Sequence, residues 1–365
     1  MEILSNDYII FRDIEKKVLE GKRLSFEEGV FLFNFKNLVE VGKLADFVRR
    51  KLHGDKTYFV VNRHINYTNI CVNRCNFCAF YRKKGDEDGF SLTLSQIEEM
   101  IKRSKDMGIN EVHVVGSLNP DYPYTFYVDM IRTIKRVLPH VKIQAFTPVE
   151  IDFISKIGKK GYEDTLIELK EVGLSALAGG GAEIFSLRVR KKICPDKLSP
   201  SGWKDVLRSA SKVGIKVNSS ILYGHIETFE ERVSHLLELR ELQDEIENIM
   251  AFVPFPFFPK NTRMRNFGDR RGYDDLKMLA VARLFLDNIP HIKAFWIMIT
   301  PMLAQISQFF GVDDLDGTVE EEKIIHSAGA ETEEGMSKEE MIKLIKKSGK
   351  IPVERDTIYN EIDIY

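Results

Sequence analysis

The chain has 365 residues, 44% of them hydrophobic and 30% charged, enough to bury the core of one large barrel or of two ordinary domains. Its formal net charge of -2 argues against a nucleic-acid-binding surface, which would need a basic face. No apolar run approaches the roughly 20 residues of a membrane span, and the polar residues 1–7 do not resemble a signal peptide. We therefore expect contact with neither nucleic acid nor membrane.

The first 54 residues predict helices. Apolar residues recur near a 3.6-residue period over 13–20 and 38–52, and Ser25 followed by Glu28 is typical of a capped helix start. These patterns predict an N-terminal helical cap over 1–54.

Residues 55–310 alternate short apolar strands with amphipathic helices. The predicted strands lie near 57–66, 111–116, 141–146, 174–178, 215–221, 248–253 and 291–298. The predicted helices lie near 94–107, 124–137, 162–172, 202–213, 228–244, 273–288 and 301–310. Seven or eight such units imply an α/β fold, a (β/α)8 barrel of the TIM type. The eighth strand has the weakest pattern, with 312–315 as a candidate, and residues 311–365 predict a C-terminal extension packed on the barrel.

Three of the four cysteines lie within eight residues, directly after the first predicted strand: Cys71, Cys75 and Cys78. Thiolates this close favour metal ligation over a disulfide framework, and no Cys/His pair follows to complete a zinc site. Three thiolates leave one iron of a four-iron, four-sulfur cluster open to a small molecule. Cys194 is predicted to be a buried thiol, and unpaired cysteines indicate a reducing cytoplasm.

Polar side chains on or just after the strands are candidate ligand contacts, because the active site of a parallel barrel lies at the carboxyl ends of its strands. Asn62, His64 and Asn66 share one face of the first strand; His64 is either a ligand contact or a satisfied core histidine. Asn218 lies on the fifth strand. His225, just after that strand, is either an acid, base or donor in the cavity, or a loop histidine bonded to backbone.

Three consecutive glycines, Gly179 to Gly181, follow the fourth strand and favour close approach of the backbone to a ligand. Glu183 stands where a helix begins, and Arg188 and Arg190 follow within two turns. Guanidinium groups are suited to a substrate carboxylate. The sixth strand leads into the apolar segment 254–259, which predicts either a wall for an aromatic ligand or core packing.

The Cys-x3-Cys-x2-Cys spacing, with Phe77 before the last cysteine, resembles the cluster loop of the radical S-adenosylmethionine (radical SAM) enzymes. The resemblance implies a [4Fe-4S] cluster on the three cysteines, SAM as cosubstrate, and a low-potential electron donor such as flavodoxin or ferredoxin. Gly116-Ser117 resembles the glycine turn that approaches SAM in this family. Glu150 is either a SAM contact or an ordinary helix-start acid. The resemblance further implies SAM contacts from Phe77, Gly180 and Glu183.

Segments 177–186, 222–228, 313–318 and 352–357 resemble the aminofutalosine synthase family of the futalosine route to menaquinone. This resemblance implies that the 5'-deoxyadenosyl radical adds to 3-[(1-carboxyvinyl)oxy]benzoate, and that rearrangement and loss of a carboxylate give 6-amino-6-deoxyfutalosine. It implies a catalytic role for His225, and substrate contacts from His64, Arg188, Arg190, Asn218 and Tyr223.

The chain departs from the synthase pattern at Ser117, Asn119 and Thr147-Pro148. The alternatives are dehypoxanthine futalosine cyclase, a deazaflavin synthase of coenzyme F420 biosynthesis, and a non-catalytic iron-sulfur electron carrier.

Overall fold

The computed structural model describes residues 6–268 and 272–365. The strands are β1 Lys56–Val60, β2 Asn62–Ile65, β3 Glu111–Val114, β4 Lys142–Ala145, β5 Leu174–Leu177, β6 Lys216–Tyr223, β7 Ile249–Pro256, β8 His291–Ile292, β9 Asp314–Gly317, β10 Ile351–Arg355 and β11 Glu361–Ile364. The helices are α1 Asn6–Leu19, α2 Phe26–Asn34, α3 Leu38–His53, α4 Leu94–Arg103, α5 Tyr124–Val137, α6 Pro148–Gly158, α7 Tyr162–Glu171, α8 Leu187–Ile193, α9 Pro200–Val213, α10 Phe229–Ile246, α11 Gly272–Phe285, α12 Trp296–Ile299, α13 Pro301–Ser307, α14 Ile324–Ser327 and α15 Lys338–Lys346.

Seven strands, β2 to β8, form a parallel sheet in sequence order. Helices connect β3 through β8, as expected for strands that all run in the same direction. Two single bridges extend the sheet at its edges, one from Lys293 to Asp314 and one from Arg63 to Glu320. The segment 314–320 therefore spans the gap between β8 and β2. The predicted α/β barrel-type fold is confirmed, with seven strands in the sheet.

A second, four-stranded sheet has the order β11-β10-β1-β9. The predicted first strand, 57–66, is therefore two strands, and the chain passes from one sheet to the other at Val61. The predicted eighth strand, 312–315, overlaps β9, which pairs along β1 and makes only a single bridge to the seven-stranded sheet. Since β1 shares a sheet with β9 and β10, the domain boundaries at 54/55 and 310/311 stay predictions.

The N-terminal helices α1 to α3 lie where the sequence predicts them, and the capping box of Ser25 and Glu28 is confirmed. The buried guanidinium of Arg49 on α3 donates hydrogen bonds to the carbonyl groups of Val312, Gly54 and Lys56. This one side chain links the helical segment to β1 and to the segment before β9.

The predicted seventh strand, 291–298, is shorter than expected. Only His291 and Ile292 form β8, and Trp296 begins the short helix α12. The amide of Lys293 still donates to the Phe252 carbonyl of β7, but the next amide donates to Asp314, so the chain leaves the strand there. No helix of the described residues is long and apolar enough to cross a bilayer.

Candidate active site

A cavity opens at the carboxyl ends of the strands of the seven-stranded sheet. It brings together most of the site residues predicted from the sequence: Cys71, Cys75, Cys78, Phe77, Gly116, Ser117, Glu150, Gly180, Glu183, His64 and Asn218. The local turn after β2 and the turns after β3, β4 and β5 converge on this cavity because the strands are parallel and in order.

The three clustered cysteines are free and line one wall of the cavity. Burial raises the pKa of each thiol, so an isolated thiolate would be unfavourable there. Hydrogen bonds to the Cys71 sulfur from the Leu118 and Asn73 amides and from the Ser117 hydroxyl oppose the rise in its pKa. Iron ligation would supply the missing positive charge, so this donor set fits a cluster held by three thiolates.

Cys194, the fourth cysteine, is the C-cap residue of α8 and is almost fully buried. Its sulfur is outside the cavity lining, in agreement with the predicted buried thiol.

A lysine that the sequence analysis did not single out lies beside the cysteines. Lys197 lines the cavity, forms an ion pair with Glu183, and places its ammonium 5.4 Å from the centre of the Phe77 ring. Burial raises the pKa of Cys75, and the positive charge of Lys197 acts against that rise. Lys197 therefore provides a positive charge at this end of the cavity that would stabilise ligated thiolates.

The carboxylate of Glu150 is fully engaged within the protein. One oxygen accepts hydrogen bonds from the Tyr67 hydroxyl at 2.7 Å and the Gly116 amide at 3.0 Å. The other accepts from the Thr147 amide at 2.7 Å and its hydroxyl at 2.8 Å, which completes the capping box of α6. Burial raises the pKa of Glu150, and these hydrogen bonds counter the effect. Glu150 thus orders the turn at Gly116 and the start of α6.

Two glycines of the cavity wall are required by close packing. An added Cβ at Gly116 would lie 2.6 Å from the Tyr67 ring, and one at Gly179 would lie 2.7 Å from the backbone of Asn218 and Ser219. The triple-glycine segment therefore lets β5 approach β6, and it also lines the cavity as expected.

Polar side chains from neighbouring strands line another part of the cavity. His64 stacks on His113 with ring centres 4.6 Å apart, and the His113 Nδ1 atom lies 2.9 Å from the Gln144 amide nitrogen. The Asn218 amide group donates to the Gln144 side-chain oxygen at 3.1 Å. Burial, followed by the His113 ring, lowers the pKa of His64, which is therefore neutral. We call His64, His113, Gln144 and Asn218 the polar floor.

The remaining walls are mainly aromatic. Phe255, Phe257 and Phe258 line the cavity, as the aromatic interpretation of segment 254–259 predicts, and Phe295 meets Phe255 edge to face with ring centres 6.3 Å apart. The C-terminal region adds Glu322, Ile324, Ile325 and Ala328 to the lining. The site therefore includes residues from beyond the predicted barrel.

His225 and Tyr223 are outside the cavity lining. The ring nitrogens of His225 lie 3.1 Å from the Leu222 carbonyl oxygen and 2.8 Å from the Glu227 carboxylate. Burial alone would raise the pKa of Glu227, but the hydrogen bond from His225 and the charge of Arg232 hold it at about 2. The structure therefore engages His225 in its own loop, as the loop-histidine alternative predicts. The Tyr223 hydroxyl donates to Asp275 at 2.6 Å.

The structure does not bring Arg188 or Arg190 to the cavity either. Arg188 is exposed and forms a bidentate ion pair with Glu231. Arg190 is buried, and its guanidinium donates to backbone carbonyl groups at Ala182, Ile184 and Leu198. The short helix α8 directs one arginine to the surface and the other into the loop after β5, so both have structural partners.

The cavity residues that sequence reasoning missed include His113, Gln144, Lys197 and Lys293. His113 and Gln144 are each the one polar residue between apolar neighbours in a buried strand, and Lys293 interrupts an apolar run in the same way. Applying the two-residue period to every strand would have found these three. Lys197 has no such signal, because it belongs to the irregular segment between α8 and α9.

Comparison with known proteins agrees with this geometry. The radical SAM superfamily model matches residues 65–239, and the model of the CofH/MqnC C-terminal region matches residues 246–365. The structure is similar to the crystal structure of methylornithine synthase, with a TM-score of 0.76 and 20% identity over 93% of this chain and 97% of that one. At that identity the likeness concerns the fold.

Three groups of curated relatives align with nearly the whole chain. Aminodeoxyfutalosine synthase of Thermus thermophilus is 45% identical over 96% of both chains. A 5-amino-6-(D-ribitylamino)uracil--L-tyrosine 4-hydroxyphenyl transferase of Archaeoglobus fulgidus is 38% identical over 90% of this chain and 95% of its own. Cyclic dehypoxanthine futalosine synthase of Halalkalibacterium halodurans is 35% identical over 96% of this chain and 94% of its own.

A strand-ordered parallel sheet with a three-cysteine loop at its carboxyl edge defines a radical SAM enzyme, with a [4Fe-4S] cluster and SAM as its cofactors. The chain belongs to the radical SAM superfamily and, within it, resembles aminodeoxyfutalosine synthase over nearly its full length.

Proposed function

We propose that the protein is an aminodeoxyfutalosine synthase, which joins the 5'-deoxyadenosyl group of SAM to 3-[(1-carboxyvinyl)oxy]benzoate. Rearrangement and loss of one carboxylate as carbon dioxide or bicarbonate give 6-amino-6-deoxyfutalosine, so the enzyme would be a transferase that forms a C-C bond. The 45% identity to the Thermus thermophilus synthase over 96% of both chains carries this proposal, since the cyclase and transferase relatives named above are 35% and 38% identical.

Cys71, Cys75 and Cys78 would hold the cluster, which together with SAM supplies a 5'-deoxyadenosyl radical when both are bound. The protein's own part is to position the substrate and to exclude water. Phe255, Phe257 and Phe295 offer apolar surface to an aromatic ring, and the polar floor, whose His64 ring centre lies 6.4 Å from that of Phe295, offers hydrogen bonds. A low-potential electron donor such as flavodoxin or ferredoxin completes the proposal.

A futalosine cyclase is the second candidate, because the cyclic dehypoxanthine futalosine synthase of Halalkalibacterium halodurans is 35% identical over 96% of this chain. In that reaction the radical abstracts hydrogen from dehypoxanthine futalosine, and free 5'-deoxyadenosine is released. The two functions therefore differ in the fate of the adenosyl carbons, which become part of the product in the synthase reaction and leave as free 5'-deoxyadenosine in the cyclase reaction.

The test is anaerobic turnover of the reconstituted enzyme with SAM labelled in its adenosyl group, followed by mass analysis of the nucleosides. We expect the label to be joined covalently to the benzoate skeleton. Stoichiometric free labelled 5'-deoxyadenosine, formed as dehypoxanthine futalosine is cyclised, would contradict the synthase proposal and favour the cyclase.

A further inference from the structure

The cavity offers few cations for an anionic ligand. Among the described residues that line it, Lys197 and Lys293 are the only lysines, and there is no arginine. A carboxylate taken out of water needs a charged partner or several hydrogen-bond donors to offset its desolvation. Among the described residues of the lining, these two lysines are therefore the candidates for the charged partner of an aryl carboxylate.

Lys197 belongs to the cluster end of the cavity. Its ammonium is paired with Glu183, lies over the Phe77 ring, and interacts with the charges of Cys75 and Cys194. Ligated thiolates would be its natural counter-ions, which leaves little of its charge for a second carboxylate.

Lys293 lines the same cavity as the polar floor. It follows β8, is 3% exposed, and its ammonium lies 3.3 Å from Asp316. Burial lowers the pKa of both His64 and His113, the positive charge of Lys293 contributes to that lowering, and all three residues line the same cavity. The Phe295 ring lies nearby, with its centre 6.4 Å from that of His64.

The polar floor has hydrogen-bonding capacity that the protein does not use. The Nε2 atom of His64 and the side-chain oxygen of Asn218 are buried without a hydrogen-bond partner among the described residues, and the two residues are 6% and 3% exposed. Buried polar atoms normally have partners, so two orphaned atoms on residues that line one cavity indicate a missing polar ligand. Of the two atoms, only the His64 nitrogen can donate to a carboxylate, because the Asn218 oxygen is an acceptor.

We propose that Lys293 and His64 together form the receptor for the aryl carboxylate of the substrate. Lys293 supplies the charge, and the Nε2–H of the neutral His64 donates a hydrogen bond to one carboxylate oxygen. The attached ring then lies against Phe255 and Phe295. The inference rests on the proposed function only in requiring an aryl carboxylate, a group that the synthase substrate and the cyclase substrate both carry.

The test compares equilibrium binding of each candidate substrate with binding of its benzamide analogue, in the anaerobic holoenzyme with SAM present. Lys293→Met should weaken binding of the acid roughly 10- to 100-fold, the range of a charge-assisted hydrogen bond, and should change binding of the amide much less. Lys293→Arg, which keeps the charge, should retain the preference for the acid. Arg188→Met is the matched control, because that exposed arginine lies outside the cavity and should leave both affinities unchanged.

Two further variants test the geometry. The double variant Lys293→Met with Asp316→Asn removes the ion pair as a unit, so a loss that persists there cannot come from an unpaired Asp316. His64→Gln keeps an N–H donor and should bind the acid more tightly than His64→Leu. Iron content and the midpoint of thermal unfolding report whether each variant folds.

The outcomes separate this inference from the proposed function. If the wild type binds only dehypoxanthine futalosine, the synthase proposal is wrong, yet a selective loss of acid binding in Lys293→Met still supports the receptor. If folded Lys293→Met distinguishes acid from amide as the wild type does, the receptor assignment is overturned, whichever substrate binds.

Discussion

Glu150 illustrates how a single buried side chain organises the entrance to the cavity. Its four hydrogen bonds join Tyr67 after β2, the turn at Gly116 after β3, and the first residue before α6. A carboxylate accepting this many hydrogen bonds has none of its main acceptor directions left for a ribose or an ammonium group. We therefore regard Glu150 as a positioning residue for the turn that lies closest to the cysteine loop.

The first prediction concerns the cysteines. Replacing Cys71, Cys75 or Cys78 by Ala should abolish the site-differentiated cluster and SAM cleavage, since each removes one of the three thiolates that line the cavity. Iron counting and the spectrum of the reduced cluster measure the effect. Cys194→Ala is the control and should keep both properties; a Cys194→Ala protein without a cluster would contradict the three-ligand assignment.

Buried His235 gives a pH-dependent prediction. Its Nδ1 atom accepts a hydrogen bond from the Phe185 amide, and its Nε2 atom lies 2.9 Å from the Ser220 carbonyl oxygen. Burial lowers the pKa of His235 from 6.5 to about 3. In the unfolded chain His235 is therefore protonated below about pH 6.5, whereas in the folded chain it stays neutral down to about pH 3. Stability should fall through that window, by up to about 1.4 kcal/mol per pH unit for this one proton.

The measurement is the free energy of anaerobic denaturant unfolding across that window, for the wild type and for His235→Gln. The variant should be less stable near neutral pH, but its stability should fall less steeply on acidification. An unchanged slope would mean that other groups carry the acid sensitivity. His326 acts in the opposite direction, because its hydrogen bond with Glu322 raises the pKa of His326 to about 9.

At the residue scale the sequence is informative where the chemistry is local. The spacing of Cys71, Cys75 and Cys78 predicts their role because all three lie on one turn. Arg188 was a reasonable carboxylate partner by sequence distance from the glycines, but the direction of α8 and the presence of Glu231 decide where its side chain lies. Both depend on the tertiary structure, and so does the position of Lys293 in the same cavity as the cysteine loop.

The sequence predicts the positions of strands and helices more completely than it predicts which strands pair with each other. Apolar runs bounded by polar segments predict the positions of β3 to β7, and the 3.6-residue period predicts α5, α7, α9 and α10 between them. The helices α6 and α8 lie outside the predicted helix ranges. The division of 57–66 at Val61 has no local signal, because both halves are extended and buried. Only the pairing of β1 with β9 and β10, more than 250 residues further along the chain, separates the two strands.

The close approach of β5 to β6 gives a prediction at the scale of elements. Gly179→Ala should destabilise the fold by about 1–3 kcal/mol, the usual cost of overpacking, because the new methyl group would meet rigid backbone rather than a movable side chain. Thermal or denaturant unfolding measures the loss. Gly272→Ala is the control, since its Cβ would make ordinary contact with Leu303 at 3.4 Å; equal stability of the two variants would argue against the close approach.

For the molecule as a whole, the C-terminal region is part of both the scaffold and the site. β9 and β10 flank β1, the segment 314–320 bridges the two edges of the seven-stranded sheet, and residues 322–328 reach the cavity. The family models divide the chain between 239 and 246, inside this architecture. Structural and functional roles therefore cannot be divided at the end of the predicted barrel.

The buried pair of Arg355 and Asp314 tests that view. Arg355 on β10 donates to the Asp314 carboxylate of β9 at 2.7 Å across β1, and both side chains are fully buried. Burial alone would raise the pKa of Asp314, but the charge of Arg355 lowers it, so the carboxylate is ionised and depends on this partner. Arg355→Met should reduce the free energy of unfolding by about 3–5 kcal/mol, because it leaves an uncompensated buried charge.

The double variant Arg355→Met with Asp314→Asn removes both charges and should recover part of that loss. Arg12→Met is the surface control: it breaks an exposed ion pair with Glu15 and should change the free energy of unfolding far less than Arg355→Met does. The backbone of Asp314 also forms a β-bridge with that of Lys293. Arg355→Met should therefore loosen the edge of the sheet that carries the proposed carboxylate receptor. If Arg355→Met unfolds with the same free energy as the wild type, the C-terminal sheet does not support the barrel in the way its pairing implies.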